Sequence, residues 1–512
     1  MKSISRPAES PPREGRRWLV LAVLCTSLLL AGLDLTVLHV AVPDIARELD
    51  SSGPALLWIV DVYSLVVAAL LIVCGSLADR LGRKRIALSG FALFGAASLI
   101  ASFARTTGQL IGARALLGVG TALVIAATVA IIRNVFADDR ERAFAIGLWT
   151  ASHSVGTTLG PLVGGLLVEN FHWGSVFLVN VPVVVVVLAV GLWVIPESHN
   201  PAPRRWDAMS VVLSVIGLGG FAYGLKQATA PEGVTPAVVV GGLTGTAVLV
   251  WFVLRQRRIA HPLLDLSLFR DRRFSVAVAA VFACFGSYVA MLFLLMQWLQ
   301  ESRHLTPLAA GFAIVPLAVA NAVGATTAPW IAARLGHRAA MTAALAVFGV
   351  SLAAFALGPV GEHYAALAAV LVVAGFGAGI IMTTGADSIT SAVRPERAGE
   401  AAAIQETSFE LSSGIGIAAL GSVAALVYRL SLLVPASFDP DRATAARSSV
   451  AAAERAAAEL PEPEGAALLA SAAEAYGYGT RFALGVGAVV LLGMAALTCA
   501  LLRAGPDRAV RA

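Results

Sequence analysis

Five carboxylates lie inside long apolar stretches of this sequence: Asp34, Asp61, Asp387, Glu406 and Glu410. A charged side chain at the centre of a bilayer costs about 2.5 to 3.5 kcal/mol on insertion scales, so each of these is a candidate for function. The chemistry open to them is proton exchange and cation binding. A carboxylate in a poor solvent moves between neutral and charged forms, and the charged form attracts a lipophilic cation strongly. Glu406 and Glu410 are four positions apart and share one helical face, where at least one of the pair is expected to be protonated. Two readings stand for Asp61, a cation ligand or a solvated residue near a helix start. Asp387 reads equally as a cap or a charge partner of Arg394 or Arg397. Trp149, Tyr288, Met291, Trp298 and Phe409 offer faces and soft surfaces for a flat cation, with packing in the core or against lipid as the alternative for each.

Other chemistries find little support. The only lysines are Lys2, Lys84 and Lys226, and none stands in a Gly-rich phosphate loop. The eight histidines are scattered, no HExxH or GxSxG occurs, and Cys25, Cys74, Cys284 and Cys499 lack ligand spacing. No enzyme activity, metal or cofactor is expected. The net charge of +5 comes from short Arg clusters between apolar runs, a pattern of membrane topology and not of nucleic-acid binding.

The elements that hold the carboxylates are membrane helices. The chain is 58% hydrophobic and 13% charged, with mean hydropathy +0.81, against about half and a quarter for a soluble domain. Stretches of about 20 apolar residues, the length that crosses a bilayer core, number fourteen. They lie near 18–42, 55–78, 86–104, 108–132, 143–168, 174–195, 208–228, 236–254, 274–299, 308–333, 340–358, 365–391, 400–428 and 481–502. The first is too long to be a secretory leader. Placing both termini in the cytoplasm collects most Arg residues in the inner loops and leaves Arg47, Arg105, Lys226 and Arg303 in the short outer ones. At 1.5 Å per residue, Asp34 then lies roughly 12 Å, and Arg114 roughly 9 Å, from the outer ends of their helices.

The expected organisation is a cytoplasmic tail (1–17), a six-helix bundle (18–195), two linker helices with a basic loop (196–273), a second six-helix bundle (274–502) and a cytoplasmic tail (503–512). The second bundle contains an extracytoplasmic loop, 429–480, rich in Ala and Glu and broken by prolines, which reads as one or two short amphipathic helices. It is either a lid over the outer mouth or an inert cap. The segment Gly75-Ser-Leu-Ala-Asp79-Arg80-Leu-Gly82-Arg83-Lys84 has a worn copy in Pro329-Trp-Ile-Ala-Ala333-Arg334-Leu-Gly336-His337-Arg338, a mark of duplication. Gly156, Gly160 and Gly164 repeat every four residues and permit close helix approach, while Pro161 removes a backbone donor and kinks the helix. This surface suits either two halves that rock or plain tight packing.

Gly75 to Arg85 resembles the cytoplasmic loop motif of the major facilitator superfamily. Leu110 to Gly120, with Arg114, resembles the fourth-helix motif. Gly156 to Gly165, with Pro161 and Gly164, is similar to the fifth-helix motif of drug:proton antiporters. Leu33 to Pro43, with His39 where Asn is common, resembles the first-helix motif of the fourteen-helix exporters. With Trp58 to Ser64 and Glu406 to Leu411, the pattern is similar to quaternary-ammonium and multidrug efflux proteins along nearly the whole chain. The resemblance implies an all-α integral membrane protein with the major facilitator fold, two six-helix bundles and two linker helices. It implies a monomeric, proton-coupled exporter of lipophilic, mainly cationic compounds in the cell membrane, with no nucleic-acid partner. A narrower exporter of one antibiotic or natural product is the alternative. Asp34 and Arg114 are then expected to pair and carry proton coupling. Asp61, Glu406, Glu410, Tyr288, Met291, Asn321 and Phe409 are expected at the substrate. Gly75, Asp79, Arg80, Gly82 and Arg83 would form a conformational latch, and Gly156, Gly160, Pro161, Gly164 and Gly165 the moving surface. Some relatives hold an acidic residue at Asn321, so a neutral side chain there disfavours dications.

Overall fold

The structure is a computed structural model that describes residues 14–136, 138–198, 207–227, 235–259, 266–358, 363–393, 398–435, 438 and 440–502. Their regular structure is entirely helical. The first half comprises α1 (Glu14–Glu48), α2 (Gly53–Leu81), α3 (Arg83–Ser102), α4 (Thr107–Val135) and α5 (Asp139–Asn170). Its sixth crossing is divided at Val179 into α6 (Ser175–Leu178) and α7 (Asn180–Val194). A linker hairpin follows, α8 (Ala208–Gln227) and α9 (Pro236–Gln256). The second half begins with α10 (Arg272–Gln297), which ends in a π-helical turn, Trp298–Ser302. Next come α11 (Pro307–Ala313), α12 (Val315–Leu335), α13 (His337–Leu357), α14 (Tyr364–Ser391) and α15 (Ala398–Ser431). Two short helices, α16 (Pro440–Ala446) and α17 (Val450–Ala458), precede the final helix α18 (Glu462–Leu501).

Among the described residues, thirteen helical stretches are long and apolar enough to span a membrane. The fourteenth expected span is α5, whose 32 residues reach about 48 Å but whose apolar character is diluted by residues such as Ser152, His153 and Thr157. The duplication is visible in the packing. In the first half α1 packs on α5, α2 on α4, α3 on α4 and α3 on α7. In the second, α10 packs on α15, α12 on α14, α13 on α14 and α13 on α18. The repeated motif has a matching backbone. Gly82 (φ 108°) and Gly336 (φ 77°) each form the single-residue link between two helices, a conformation that strains any residue with a Cβ.

The last crossing differs from its expected start near residue 481. Pro461 begins the 40-residue α18, with Glu462 and Glu464 in its first turn favouring the positive end of the helix dipole. A hydropathy window finds only the apolar part of such a helix. At about 60 Å, α18 is twice the thickness of a bilayer core, so its first half stands clear of it. There it builds a small separate core with α16 and α17, from Tyr428, Leu432, Ala446, Ala453, Ala457, Leu468, Ala472 and Ala475. In this cap, the described residues of the expected 429–480 loop thus include the helices α16 and α17 and the first half of α18.

The two halves meet at the cap end of the molecule. Arg47 of α1 binds Glu301 at the end of α10 (3.2 Å) and Glu454 of α17 (2.9 Å), and Asp50 pairs with Arg455. The Leu308 N–H donates to Glu169 of α5 at 3.1 Å. Gly165 and Gly311 let α5 and α11 cross almost backbone to backbone: a Cβ on either would stand 2.7 Å from the opposite chain's carbonyl oxygen, of Pro307 and Pro161 respectively.

Candidate functional site

The centre of the first half is a charge pair shared by three helices. Arg114 of α4 and Asp34 of α1 are both completely buried, and the Arg114 Nη1 donates to Asp34 Oδ2. The rest of the guanidinium is held by α2, with Nε donating to the Ile59 carbonyl (3.1 Å) and Nη2 to that of Val60 (3.2 Å). The Tyr63 ring lies 4.7 Å and the Phe177 ring 5.9 Å from the guanidinium carbon. The second carboxylate oxygen of Asp34, Oδ1, is buried without a hydrogen-bond partner. The guanidinium thus engages one carboxylate oxygen and leaves the other buried and unpartnered.

Asp34 is placed by the contact of α1 with α5. A Cβ at Gly156 would stand 2.1 Å from the Leu29 carbonyl oxygen, at Gly160 2.0 Å from Thr36 Oγ1 and at Gly164 2.7 Å from the Val37 carbonyl. Thr36 Oγ1 crosses the interface to the Thr157 carbonyl at 3.0 Å. Pro161 lies inside α5 without dividing it, and its carbonyl lies against Gly311 of α11.

In the second half, Glu410 on α15 is buried with Oε2 unpartnered, and Glu406, one turn away, is partly buried. Glu410 is within electrostatic reach of Glu406, Arg114 and Asp34. Helix α15 leans on α2 at Gly414, where a Cβ would be 3.6 Å from the Asp61 carbonyl. Between the halves runs a train of rings: Phe409 stacks at 4.8 Å on Phe285, His153 of α5 lies 6.5 Å from Phe285, and His39 of α1 lies 5.6 Å from Phe293. Tyr288 and Met291 share α10 with Phe285 and Phe293 and are buried. Asn321 is partly buried on α12 with Nδ2 unpartnered, its backbone pressed by α14 at Gly375 and Gly379. Trp149 is buried, and Trp298 packs edge-on against Phe355.

Two expectations from the sequence change. Lys226, assigned to an outer loop, is fully buried in the last turn of α8, where Nζ donates to Asp61 and to the Leu57 carbonyl (3.3 Å). Asp61 is correspondingly buried and not a solvated helix-start residue. Loop-charge sorting cannot see this, because it depends on a partner from another helix. Asp387 pairs with His337 at 2.7 Å across α13 and α14, while Arg394 and Arg397 lie outside the described residues. Asp79 receives two hydrogen bonds from Arg83, which also reaches the Ala130 carbonyl. Lys84 and Arg85 bind α7 and the segment after it, through the Leu192 carbonyl and Glu197. These partners of Asp79, Arg83, Lys84 and Arg85 belong to the first half or to the segment just after it. Arg80 is exposed nearby, and Gly75 meets little beyond Ala126 at 3.9 Å.

Sequence reasoning passed over His153 and Glu301, noted His39 only as standing where Asn is common in the first-helix motif, and placed Lys226 in a loop. Lys226 carried a signal, as a lysine in a chain that otherwise uses arginine; His153 carried only its place in an apolar run. His39 has both ring nitrogens buried without partners. Glu301 lines a cavity of about 70 Å³ beneath the cap, together with Phe293, Tyr428 and Tyr476.

Residues 24–417 match the family model of the Major Facilitator Superfamily. The chain is 38% identical over 482 residues to the multidrug efflux pump LfrA of Mycolicibacterium smegmatis, covering 94% of this chain and 95% of that one. It is 33% identical over 479 residues to the methyl viologen resistance protein SmvA of Salmonella typhimurium, covering 93% and 96%. Among solved structures it resembles an inward-facing, unoccupied bacterial homologue of the human lysosomal transporter Spinster. The TM-score is 0.67 at 18% identity, over 96% of this chain and 98% of that one, a likeness of fold.

Proposed function

We propose that this chain, which belongs to the major facilitator superfamily, exports lipophilic monocations and related drugs from the cytoplasm in exchange for protons. Its relatives are named for multidrug efflux and for methyl viologen resistance. The observation that supports the finer reading is the group of buried carboxylates with unsatisfied oxygens, Asp34 Oδ1 and Glu410 Oε2, on opposite halves of the molecule and within electrostatic reach of each other. Asp34 with Arg114 serves as the proton site: protonation weakens its hold on the guanidinium, which three helices share. Glu406 and Glu410, beside the rings of Phe409 and Phe285, serve as the cation site, with Tyr288 and Met291 in its wall.

The basic end of the molecule faces the cytoplasm, and the cap end faces outward. With the halves joined at the cap end, the described conformation is the one that loads substrate from inside. Alternating access requires the Arg47, Glu301 and Glu454 cluster to part while Asp79 and Arg83 engage the second half. The methyl viologen in one relative's name is a dication, and the neutral Asn321 is the reason to favour monocations here.

The test is transport in proteoliposomes with an imposed pH gradient, using tetraphenylphosphonium and ethidium. Uphill accumulation that collapses when a protonophore is added is expected. Accumulation that survives the protonophore overturns proton coupling, and tolerance gained against one compound alone favours the narrow exporter.

A further inference from the structure

Lysine is scarce here: of 37 basic residues only Lys2, Lys84 and Lys226 are not arginine, and Lys226 is the one buried within a crossing. The distinction is chemical, since a guanidinium stays charged in proteins whereas a buried amine readily gives up its proton. Among the described groups that meet Nζ are the Asp61 carboxylate, the Leu57 carbonyl at 3.3 Å and the Trp58 ring, whose centroid is 3.6 Å away. A carboxylate beside an indole face is a receptor for an organic cation. Asp61 also keeps a second oxygen, Oδ2, buried and unpartnered. Helix α8 packs on both α2 and α15, so this receptor borders the seam between the halves.

The other charged and titratable groups around it are few. Helix α4 brings Arg114 within electrostatic reach of Asp61. Helix α15 carries Glu406 and Glu410, and α8 itself carries Tyr223. Helix α9 carries Arg255, at the far end of the hairpin, where it binds Asp207.

We propose that Trp58 and Asp61 form a receptor for a lipophilic monocation and that the Lys226 ammonium is its resident competitor. This deepens the export reading and rests on it. An arriving monocation takes the carboxylate. One N–H bond of the ammonium breaks, its proton leaves to water, and a neutral amine remains. The charge within the site is unchanged, and one proton leaves for each cation bound. On the other face the steps reverse, with the amine taking a proton from water as the cation departs. Neutral molecules cannot make this exchange, because they offer the carboxylate nothing in place of the ammonium.

Lys226→Arg tests the exchange, since it keeps the ion pair but cannot release a proton. The purified full chain in detergent is titrated with tetraphenylphosphonium in weak buffer, with binding followed by equilibrium dialysis and protons by an indicator dye. Lys226→Arg is expected to bind at least about tenfold more weakly and to release about one proton fewer per bound cation than the parent. Lys226→Met, which empties the receptor, is expected to bind at least as tightly as the parent, and adding Asp61→Asn should remove that gain. Thermal melting establishes that each variant is folded, and Lys226→Arg keeps the result decisive if Lys226→Met is not. The proposal is overturned if Lys226→Arg matches the parent in affinity and in protons released. It is equally overturned if Asp61→Asn leaves the binding of Lys226→Met unchanged. Proton-driven transport by the parent would survive either result, so the export reading stands or falls separately.

Discussion

The Arg114 guanidinium donates to Asp34, 80 residues away in sequence, and to two backbone carbonyls of α2, so one side chain ties α1, α2 and α4 together. Removing the carboxylate therefore strands a buried cation. Asp34→Asn is expected to abolish pH-driven transport of every substrate and to destabilise the protein by about 3 kcal/mol, the lower range for breaking a buried pair. Transport in proteoliposomes and melting in detergent measure the two effects. Parental coupling in Asp34→Asn would remove this residue from the proton path.

Glu406→Gln and Glu410→Gln should discriminate by charge. Loss of a desolvated carboxylate is expected to weaken ethidium binding at least about tenfold, equivalent to about 1.4 kcal/mol, while a neutral lipophilic ligand stays within a few-fold. Fluorescence titration at fixed pH distinguishes them. Equal losses for both ligands would make these residues structural.

The α1 to α5 interface predicts different remedies for two glycine substitutions. At Gly156 the obstacle is the Leu29 backbone oxygen, and at Gly160 it is a side-chain atom, Thr36 Oγ1. Each Ala substitution is expected to cost about 1 to 3 kcal/mol through overpacking. Thr36→Ala should partly rescue Gly160→Ala in a melting assay and leave Gly156→Ala unrescued.

The cap-end cluster should govern outward opening. Arg47→Ala removes partners of Glu301 and Glu454 together, so a cysteine placed at Gln297, on the cavity wall beneath the cap, should react faster with a membrane-impermeant maleimide added from outside. An unchanged labelling rate would mean that the remaining contacts, Asp50 with Arg455 and the backbone crossing of α5 and α11, hold that end shut.

The linker hairpin predicts a pH dependence. Asp207, just before α8, receives hydrogen bonds from Arg255 at 2.8 Å and from Ser210 at 2.6 Å, and chiefly the Arg255 bond lowers its carboxyl to about 2. A depressed carboxyl stabilises the fold fully above its unfolded value of about 3.9, and the contribution is lost as pH falls toward the folded value. Asp207→Asn should lower the melting temperature at pH 7, and the gap to the parent should narrow below pH about 4. A gap independent of pH would show that the ion pair is not its cause.

The sequence alone determined the membrane architecture, because lipid demands about 20 apolar residues per crossing wherever the chain runs. It also exposed the duplication, through two loop motifs whose glycines adopt the same left-handed link. It marked Asp34, Asp61, Asp387, Glu406 and Glu410 as costly and therefore as candidates for function. It could not say which group neutralises which, since charge partners of buried residues come from other helices. Only the packing set Lys226 on Asp61, His337 on Asp387 and Arg47 between Glu301 and Glu454. Local spacing fixes which side chains share a helical face, but helix crossings bring opposite charges within bonding distance. The same holds for α18: hydropathy located its apolar part, and contacts with α16 and α17 decided how far beyond the bilayer the helix continues.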